Sequence, residues 1–445
     1  MTTATLKPET LISNKADRLI DRTYRHNSAS DYTEKIDQLC QSFDYRSNSN
    51  HYWSDPEQSL LYGSPLYEAA SDTQKLALNH LHWFANYNYI SNSETETVIF
   101  NQVTADVFQS KGGFQTLVNE LALETEQEHY HIKAFRKIGL ATAKALIGRP
   151  GLNALLKWNS YKLTKELIPT YQYRTLRIIA TTMQRKNQQW YSSYWRKLET
   201  ENQFLLPAPT VGMLGRSLNY SLPVESFFGF NWGSGSLFMA CHFYTIRIIA
   251  NLYLKNMEHG IAKYYQKLKQ RGNFIPAPTA VSRYHFLDES FHTSISQLLA
   301  KDAYQDFPKA TAYEKLVANL AIYKMQQGTL GGISAVFPHR YFADDASILE
   351  LVYRVLQSPL FDLSHKDALY WLERCFCQEH QGFHEAVANR QRLLFELRRF
   401  FGSFDYLWSV NRNMSLMASL GGIDQALKNN KKIFKQFSLA LAAEN

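Results

Sequence analysis

The segment His285-Phe286-Leu287-Asp288-Glu289-Ser290-Phe291-His292 sets two imidazoles and a carboxylate at positions i, i+4 and i+7. At 100° per residue these three side chains fall within about 60° of one another on one helical face. The flanking Phe286, Leu287, Phe291 and Ile295 are apolar, which predicts burial of that face. A buried glutamate between two histidines is unstable unless a metal ion or hydrogen bonds compensate it. An earlier stretch repeats the spacing with Glu124, Glu128 and His131. Glu128-x-x-His131 and Glu289-x-x-His292 are thus two copies of one pair. Helical dimetal bundles place one such pair on each of two helices and add a lone Glu from each of two others. Chance supplies some Glu-x-x-His pairs, and Glu126/His129 is a third. The longer His-x-x-x-Glu-x-x-His string is expected by chance only about 0.02 times in such a chain.

The lone carboxylates follow from position. Before Glu128 the candidates are Glu94 and Glu96. Glu94 shares a helical face with Ile90, Val98, Asn101 and Ala105, whereas Glu96 stands three residues after Ser93 and fits a capping box. Glu94 is therefore preferred. Between the two pairs, Glu258 is the single acid from Ser226 to Leu287, on a long apolar stretch. Its competitor Glu225 lies in a segment rich in Gly and Pro. Four carboxylates neutralise two divalent cations, and oxygen and imidazole donors suit iron or manganese better than zinc. Iron would make dioxygen activation the simplest chemistry. His242, Arg247 and Arg283 are candidates to flank the ligands.

The order lone Glu, Glu-x-x-His, lone Glu, His-x-x-x-Glu-x-x-His resembles the ferritin-like di-iron oxygenases typified by p-aminobenzoate N-oxygenase (AurF). The resemblance spans about Asp72 to Leu299. It implies two iron ions, O2, an external electron donor and seven protein ligands: Glu94, Glu128, His131, Glu258, His285, Glu289 and His292. This chain is longer, with a segment ahead of the bundle and a long one after the last ligand. Those additions resemble the CylC-type dimetal-carboxylate halogenases, which chlorinate unactivated carbons of fatty acyl groups on a carrier protein. That branch implies chloride as a further substrate and a place in natural-product biosynthesis. Two other readings remain open on the residues alone: N-oxygenation of an arylamine to a nitro product, and a metal-storing or structural bundle without turnover.

The elements that must hold these ligands are long helices. Gly and Pro total 33 of 445 residues, so turns are few. From Leu66 to Lys111 there is neither Gly nor Pro, which predicts one long helix or two stacked ones ending at Gly112-Gly113. A second helix is predicted from Phe114 to about Ile138, and a basic helical region from about 140 to 200 broken at Pro150-Gly151 and Pro169. Residues 205–235 read as irregular, Ser236 to about Gln270 as a long helix, and Ala280 to about Ala300 as another. The expected fold is all-α. A ferritin-like bundle over 71–300 carries an N-terminal wrap (1–70) and a C-terminal helical extension (301–445) packed on it.

Charge suggests a partner. From Ile132 to Lys197 fourteen Lys or Arg face one acid, Glu166, a local net charge of +13 that leaves −5 for the rest of a chain of net +8. Such a face attracts an acidic partner. An acyl carrier protein fits that description, and Lys133, Arg136 and Lys137 are docking candidates. Phe135, Phe227, Phe228, Phe230, Phe238, Phe243, Tyr244, Phe286 and Phe291 are candidates for an apolar acyl channel. No nucleic-acid motif, phosphate loop or nucleophile elbow occurs, so nucleic acid is not an expected partner. Mean hydropathy is −0.35. The most apolar stretch, Leu237 to Leu254, contains His242 and Arg247, so no membrane span is expected. The first residues lack a signal-peptide pattern and four cysteines form no framework, which together predict a cytoplasmic protein. A homodimer is compatible with these features. Glu379, His380, His384 and Glu385 lack enough ligands for a second metal and read as an exposed helix surface.

Overall fold

A computed structural model describes residues 14–160, 236–339 and 342–444, with single positions 175, 178, 193, 194 and 197 between them. It is all helical, with no strand among the described residues. The N-terminal part holds α1 (Asn14–Ser28), α2 (Tyr32–Ser42) and the short α3 (Tyr45–Asn48) and α4 (Pro65–Ala69). Four long helices follow: α5 (Asp72–Lys111), α6 (Gln115–Ser160), α7 (Leu237–Gln270) and α8 (Ala277–Lys301). The C-terminal part holds α9 (Ala312–Gln327), α10 (Ala346–Gln357), α11 (His365–Cys377), α12 (Gln381–Phe401), the short α13 (Ser409–Arg412) and α14 (Ser415–Leu420), and α15 (Ile423–Glu444).

Local sequence explains each long helix. Ser71 and Gln74 form a reciprocal capping box at the start of α5. The helix then runs 40 residues, about 60 Å at 1.5 Å per residue. It stops at Gly112 and Gly113, both at positive φ, a conformation that glycine adopts without Cβ strain. Helix α6 runs well beyond Ile138 and bends at Gly148 (φ 70°), not at Pro150-Gly151. Pro150 then falls in the first turn of the segment after the bend, where its missing N–H costs no helical hydrogen bond. Ser236 caps α7 by accepting from the Met239 amide at 3.1 Å. Helix α8 begins at Ala277 and takes Pro278 into its first turn, where a missing N–H has no helical partner to lose. The expected start at Ala280 was three residues late for that reason.

The pairs α5–α6 and α7–α8 are antiparallel hairpins, joined by the chain between Ser160 and Ser236. One long connection between two hairpins is the topology of ferritin-like bundles. The expected break at Pro169 and the irregular segment 205–235 lie outside the described residues. Helix α7 is long and apolar enough to cross a membrane, but 83% of its most apolar window is buried in the protein. Its company is α5, α8, α9 and α12.

Two hydrophobic cores knit the molecule together. One joins Ile20 (α1) and Ile36 (α2) to Tyr87 (α5), Phe135 (α6), Ile248 (α7), Ile295 (α8) and Leu397 (α12). The other joins Phe84 (α5) and Ile147 (α6) to Leu351 (α10), Phe376 (α11) and Phe437 (α15). Side chains from before 70 and after 301 thus share cores with the bundle. Phe135 is 1% exposed and packs on Tyr87 at 4.5 Å and on His285 at 4.8 Å between ring centroids. Phe135→Ala is expected to lower stability by about 3–5 kcal/mol, measured by denaturant unfolding of purified protein.

Candidate metal centre

The helical period carries the ligand candidates inward at mid-height of the bundle. Glu94 comes from α5, Glu128 and His131 from α6, Glu258 from α7, and His285, Glu289 and His292 from α8. All seven are buried. Two groups form. Glu94, His131, His285 and Glu289 each offer a ligand atom within 4.8 Å of the others, and so do Glu128, Glu289 and His292. Glu289 belongs to both. His292 Nδ1 lies 2.8 Å from Glu289 Oε1 and 3.4 Å from Glu128 Oε1. His131 Nδ1 lies 3.4 Å from Glu128 Oε2. His285 sits between the lone carboxylates, with Nδ1 2.8 Å from Glu258 Oε1 and Nε2 3.1 Å from Glu94 Oε1.

Glu258 therefore joins the cluster through His285 and is in neither group. Its Oε1 also accepts a hydrogen bond from the Tyr87 hydroxyl at 2.8 Å. Glu94 is the buried member of the Glu94/Glu96 pair. Ser93 and Glu96 lie in the middle of α5, so no capping box exists there.

Electrostatics set the terms for what this site can hold. Glu94, Glu124, Glu128, Glu258, Asp288 and Glu289 bring six buried carboxylates together, with Glu120 nearby. Arg247 offsets two of them, donating to Glu124 Oε2 at 2.8 Å and to Glu128 Oε1 at 3.0 Å. Glu94 Oε2, Glu258 Oε2, Glu124 Oε1 and Asp288 Oδ1 have no hydrogen-bond partner. A buried, unpaired carboxylate oxygen is strongly destabilising in a dry interior.

Protons respond to the same field. Burial pushes Glu94 up to about 7 and raises Glu258. Burial also acts on Glu128, but hydrogen bonds from His131 and His292 outweigh it and hold this carboxyl well below the usual range. Burial opposes charge on the histidines, yet their carboxylate neighbours prevail: His131 rises to about 9, and His285 and His292 rise well above 6.5. Orphaned oxygens, imidazoles aimed at carboxylates and the absence of a thiolate donor among them fit divalent cations of the iron or manganese type.

The outer faces of the two Glu-x-x-His histidines are also engaged. His131 Nε2 donates to Asp288 Oδ2 at 3.1 Å. His292 Nε2 donates to Gln127 Oε1 at 2.9 Å. Each imidazole thus turns its Nδ1 toward the cluster carboxylates, the arrangement that orients histidine ligands in metal proteins. Glu124 shares the spacing of Glu128 and His131 but is not among the seven expected ligands, and Asp288, Gln127 and Tyr87 carry no such signal in the sequence. Asp288 and Gln127 stand beside the motif residues but on another helical flank, and only the neighbouring helices give them a role.

The flanking candidates divide. Arg247 reaches the cluster. His242 lies elsewhere: its Nδ1 is 3.4 Å from the Tyr406 hydroxyl, beside Phe238, and burial lowers it to about 4. Nothing in its spacing distinguished it from Arg247, and the direction each side chain takes along α7 decides the matter. Arg283 stacks over Phe286 on the half-buried side of α8. Of the aromatic candidates, Phe135 touches His285. Phe243 stacks on Phe100 and Tyr244 bonds Asn101. Phe227, Phe228 and Phe230 lie outside the described residues. His380 caps α12, and His384 pairs with Glu379 at the surface.

The docking candidates lie on the exposed side of α6. Lys133 pairs with Asp37 of α2 at 2.7 Å, and Lys137 donates to the Gln41 carbonyl at 3.2 Å. Arg136 reaches Thr95 at 3.4 Å. Most of the basic stretch beyond Ser160 lies outside the described residues.

Comparison with known families decides the kinship. The family model for CylC-like acyl halogenases matches residues 15–438. The chain belongs to the CylC-like acyl halogenase family. That match covers the N-terminal helices, the bundle and the C-terminal helices alike, so the segments added to the oxygenase-like pattern are family features. No curated protein and no solved structure matches the chain. For this acyl halogenase relative, the buried cluster described above is the one concentration of histidines and carboxylates with metal-ligand spacing among the described residues.

The raised groups give a pH dependence. Stabilisation from His131 is complete below its unfolded value near 6.5 and is lost as pH rises through about 9. Glu94, held at about 7 against 4.5 when unfolded, also disfavours the fold as pH rises through that interval. The metal-free protein is therefore expected to melt lower at pH 9 than at pH 6. Saturating Fe2+ or Mn2+, which displaces those protons, should flatten the profile; calorimetry under anaerobic conditions measures both.

Proposed function

We propose that this chain is an O2-dependent dimetal enzyme that replaces hydrogen by chlorine at an unactivated carbon of a fatty acyl chain, delivered on an acidic acyl carrier protein. Glu94, Glu128, His131, Glu258, His285, Glu289 and His292 would hold two iron ions, within a bundle assigned to 71–300. The observation that carries this reading is the pair of ligand groups that share Glu289 at the centre of four helices, in a chain of the acyl halogenase family. Two irons held there would provide the redox chemistry with O2 that attack on a strong C–H bond requires. The overall conversion joins one C–H bond, one chloride, one O2, two electrons and three protons into a C–Cl bond and two waters. An external electron donor must therefore supply the electrons.

The chain's own residues prepare that chemistry. Arg247 holds Glu128 Oε1, while the second oxygen of that carboxylate faces His131. Tyr87 holds Glu258 in line with His285. Phe135 and Tyr87 cover His285 with aromatic surface and exclude water from that side. Family kinship favours an acyl substrate over the arylamine of the N-oxygenases, whose site pattern is similar. An arylamine would also need no basic docking face.

Incubation with an acyl carrier protein loaded with a medium-length chain, chloride, O2 and a reductant should give a product whose intact mass and isotope pattern report one chlorine. No chlorination, with conversion of an aminobenzoate to a nitro compound, would reverse the assignment. Iron that binds and oxidises to a mineral without either product would mark a store. Glu289→Ala is expected to lose most of the bound iron while helical circular dichroism persists, because both groups use that residue. Retention of two irons per chain by elemental analysis would refute the shared-ligand arrangement.

Docking has its own signature. Arg136→Glu should weaken carrier binding about two- to fivefold, the size of one exposed ion pair. Lys133→Met should do less, because Lys133 is already engaged with Asp37. Titration calorimetry at two salt concentrations distinguishes them.

A further inference from the structure

The outer nitrogens of His131 and His292 do not simply meet two neighbouring side chains. Each chain of hydrogen bonds continues into the N-terminal helices. Thr33, in the first turn of α2, donates from Oγ1 to Asp288 Oδ2 at 2.9 Å, the same oxygen that accepts from His131 Nε2. Asn27, near the end of α1, makes a two-bond amide pair with Gln127. Gln127 Nε2 donates to Asn27 Oδ1 at 2.6 Å, and Asn27 Nδ2 donates to Gln127 Oε1 at 3.2 Å. Asn27 Nδ2 also reaches Glu120 Oε1 at 2.9 Å. Asn27, Gln127 and Asp288 are nearly inaccessible to solvent, at 1%, 3% and 0% exposure.

Glu120 Oε1 accepts from Asn27 Nδ2 and so fixes the Asn27 amide, and the pairing then sets which end of the Gln127 amide faces His292. The carbonyl oxygen points at the imidazole, so His292 Nε2 carries a proton and Nδ1 is the nitrogen turned toward Glu289 and Glu128. Thr33 acts in parallel. Its hydroxyl donates to the Asp288 oxygen that accepts from His131 and so holds that oxygen toward the imidazole. Asn27 and Thr33 are six residues apart and flank one short turn between α1 and α2. That turn therefore fastens both Glu-x-x-His histidines at once.

We propose that the α1–α2 turn is part of the metal centre, with Asn27 and Thr33 as positioning residues that fix the orientation and tautomer of His292 and His131 for metal binding. This inference rests on the dimetal reading above. Packing of α1–α2 and metal binding are then reciprocally coupled, because a contact that favours bound metal is favoured by it. Partners of ligand histidines influence affinity strongly: their loss commonly weakens metal binding about 10-fold or more.

Full-length protein is titrated anaerobically with Co2+ as a spectroscopic probe, and backbone hydrogen exchange of residues 14–42 is followed with and without the metal. Wild type should bind two Co2+ and show slowed exchange in α1–α2 on loading. Thr33→Val and Asn27→Leu should each weaken one site about 10-fold and alter its ligand-field bands. Thr33→Ser, which keeps the donor, should restore wild-type affinity and spectrum. Metal-free melting temperatures report any general loss of folding, which the serine variant controls independently. Wild-type affinity and spectrum in both Thr33→Val and Asn27→Leu would overturn the inference while leaving the dimetal reading intact. Exchange in α1–α2 that is indifferent to metal would overturn the coupling. Failure of wild type itself to bind Co2+ or Fe2+ would overturn the dimetal reading and this inference together.

Discussion

Too much negative charge in too little water is the condition that organises this protein. Glu94, Glu124, Glu128, Glu258, Asp288 and Glu289 are brought together by four helices in the interior. Among the described residues, the permanent cation that reaches them is Arg247. Three imidazoles lie between the carboxylates, where protonated rings can offset part of the excess. A dry interior magnifies each uncompensated charge. Such a cluster is tolerable only where protons or metal ions complete the balance. The orphaned oxygens of Glu94 and Glu258, on either side of His285, locate where positive charge is most wanted.

That demand explains why the bundle is long, thick and wrapped. Helix α5 buries not only Trp83, Phe84 and Tyr87 but also Asn79, His80, His82, Asn86, Asn92 and Asn101. A helix with polar and apolar residues on all sides needs neighbours on all sides, since each buried polar group requires a partner. The N-terminal helices supply some of these. Asn79 binds the backbone and side chain of the segment before α4, and Asn27 and Thr33 extend the same principle to the metal centre. The C-terminal helices add Phe376, Phe383 and Phe437 to the second core, which Leu60, Leu66 and Tyr67 of the N-terminal part share. Rigid support of this kind is what a site built from short, distance-sensitive contacts requires.

The long elements were legible because their signals are local. Few glycines and prolines, a Ser71 cap and the Gly112-Gly113 stop define α5 without reference to any other helix. The two Glu-x-x-His pairs were legible for the same reason: a period of 3.6 residues places their side chains on one face wherever the helix is packed. Even the kinship to acyl halogenases followed from motif order and from segments lying outside the motifs. Local signals failed where the backbone had a choice. Gly148 took the bend expected at Pro150-Gly151, and Pro278 entered α8 instead of ending the turn before it.

Partnership across helices is what the linear order could not decide. Arg247 and His242 are five residues apart on α7, equally plausible in type, yet one meets Glu124 and Glu128 while the other meets Tyr406. Glu258 was recognisable as the isolated acid of its helix, but its contact with His285 and Tyr87 depends on the angle at which α5, α7 and α8 meet. Asp288, Gln127, Asn27 and Thr33 carry no motif at all. The sequence by itself determined an all-α chain with paired inward histidines and carboxylates, because helical periodicity is a property of neighbouring residues. Tertiary structure alone decided which buried donors and acceptors complete one another, because a hydrogen bond between helices depends on their relative placement.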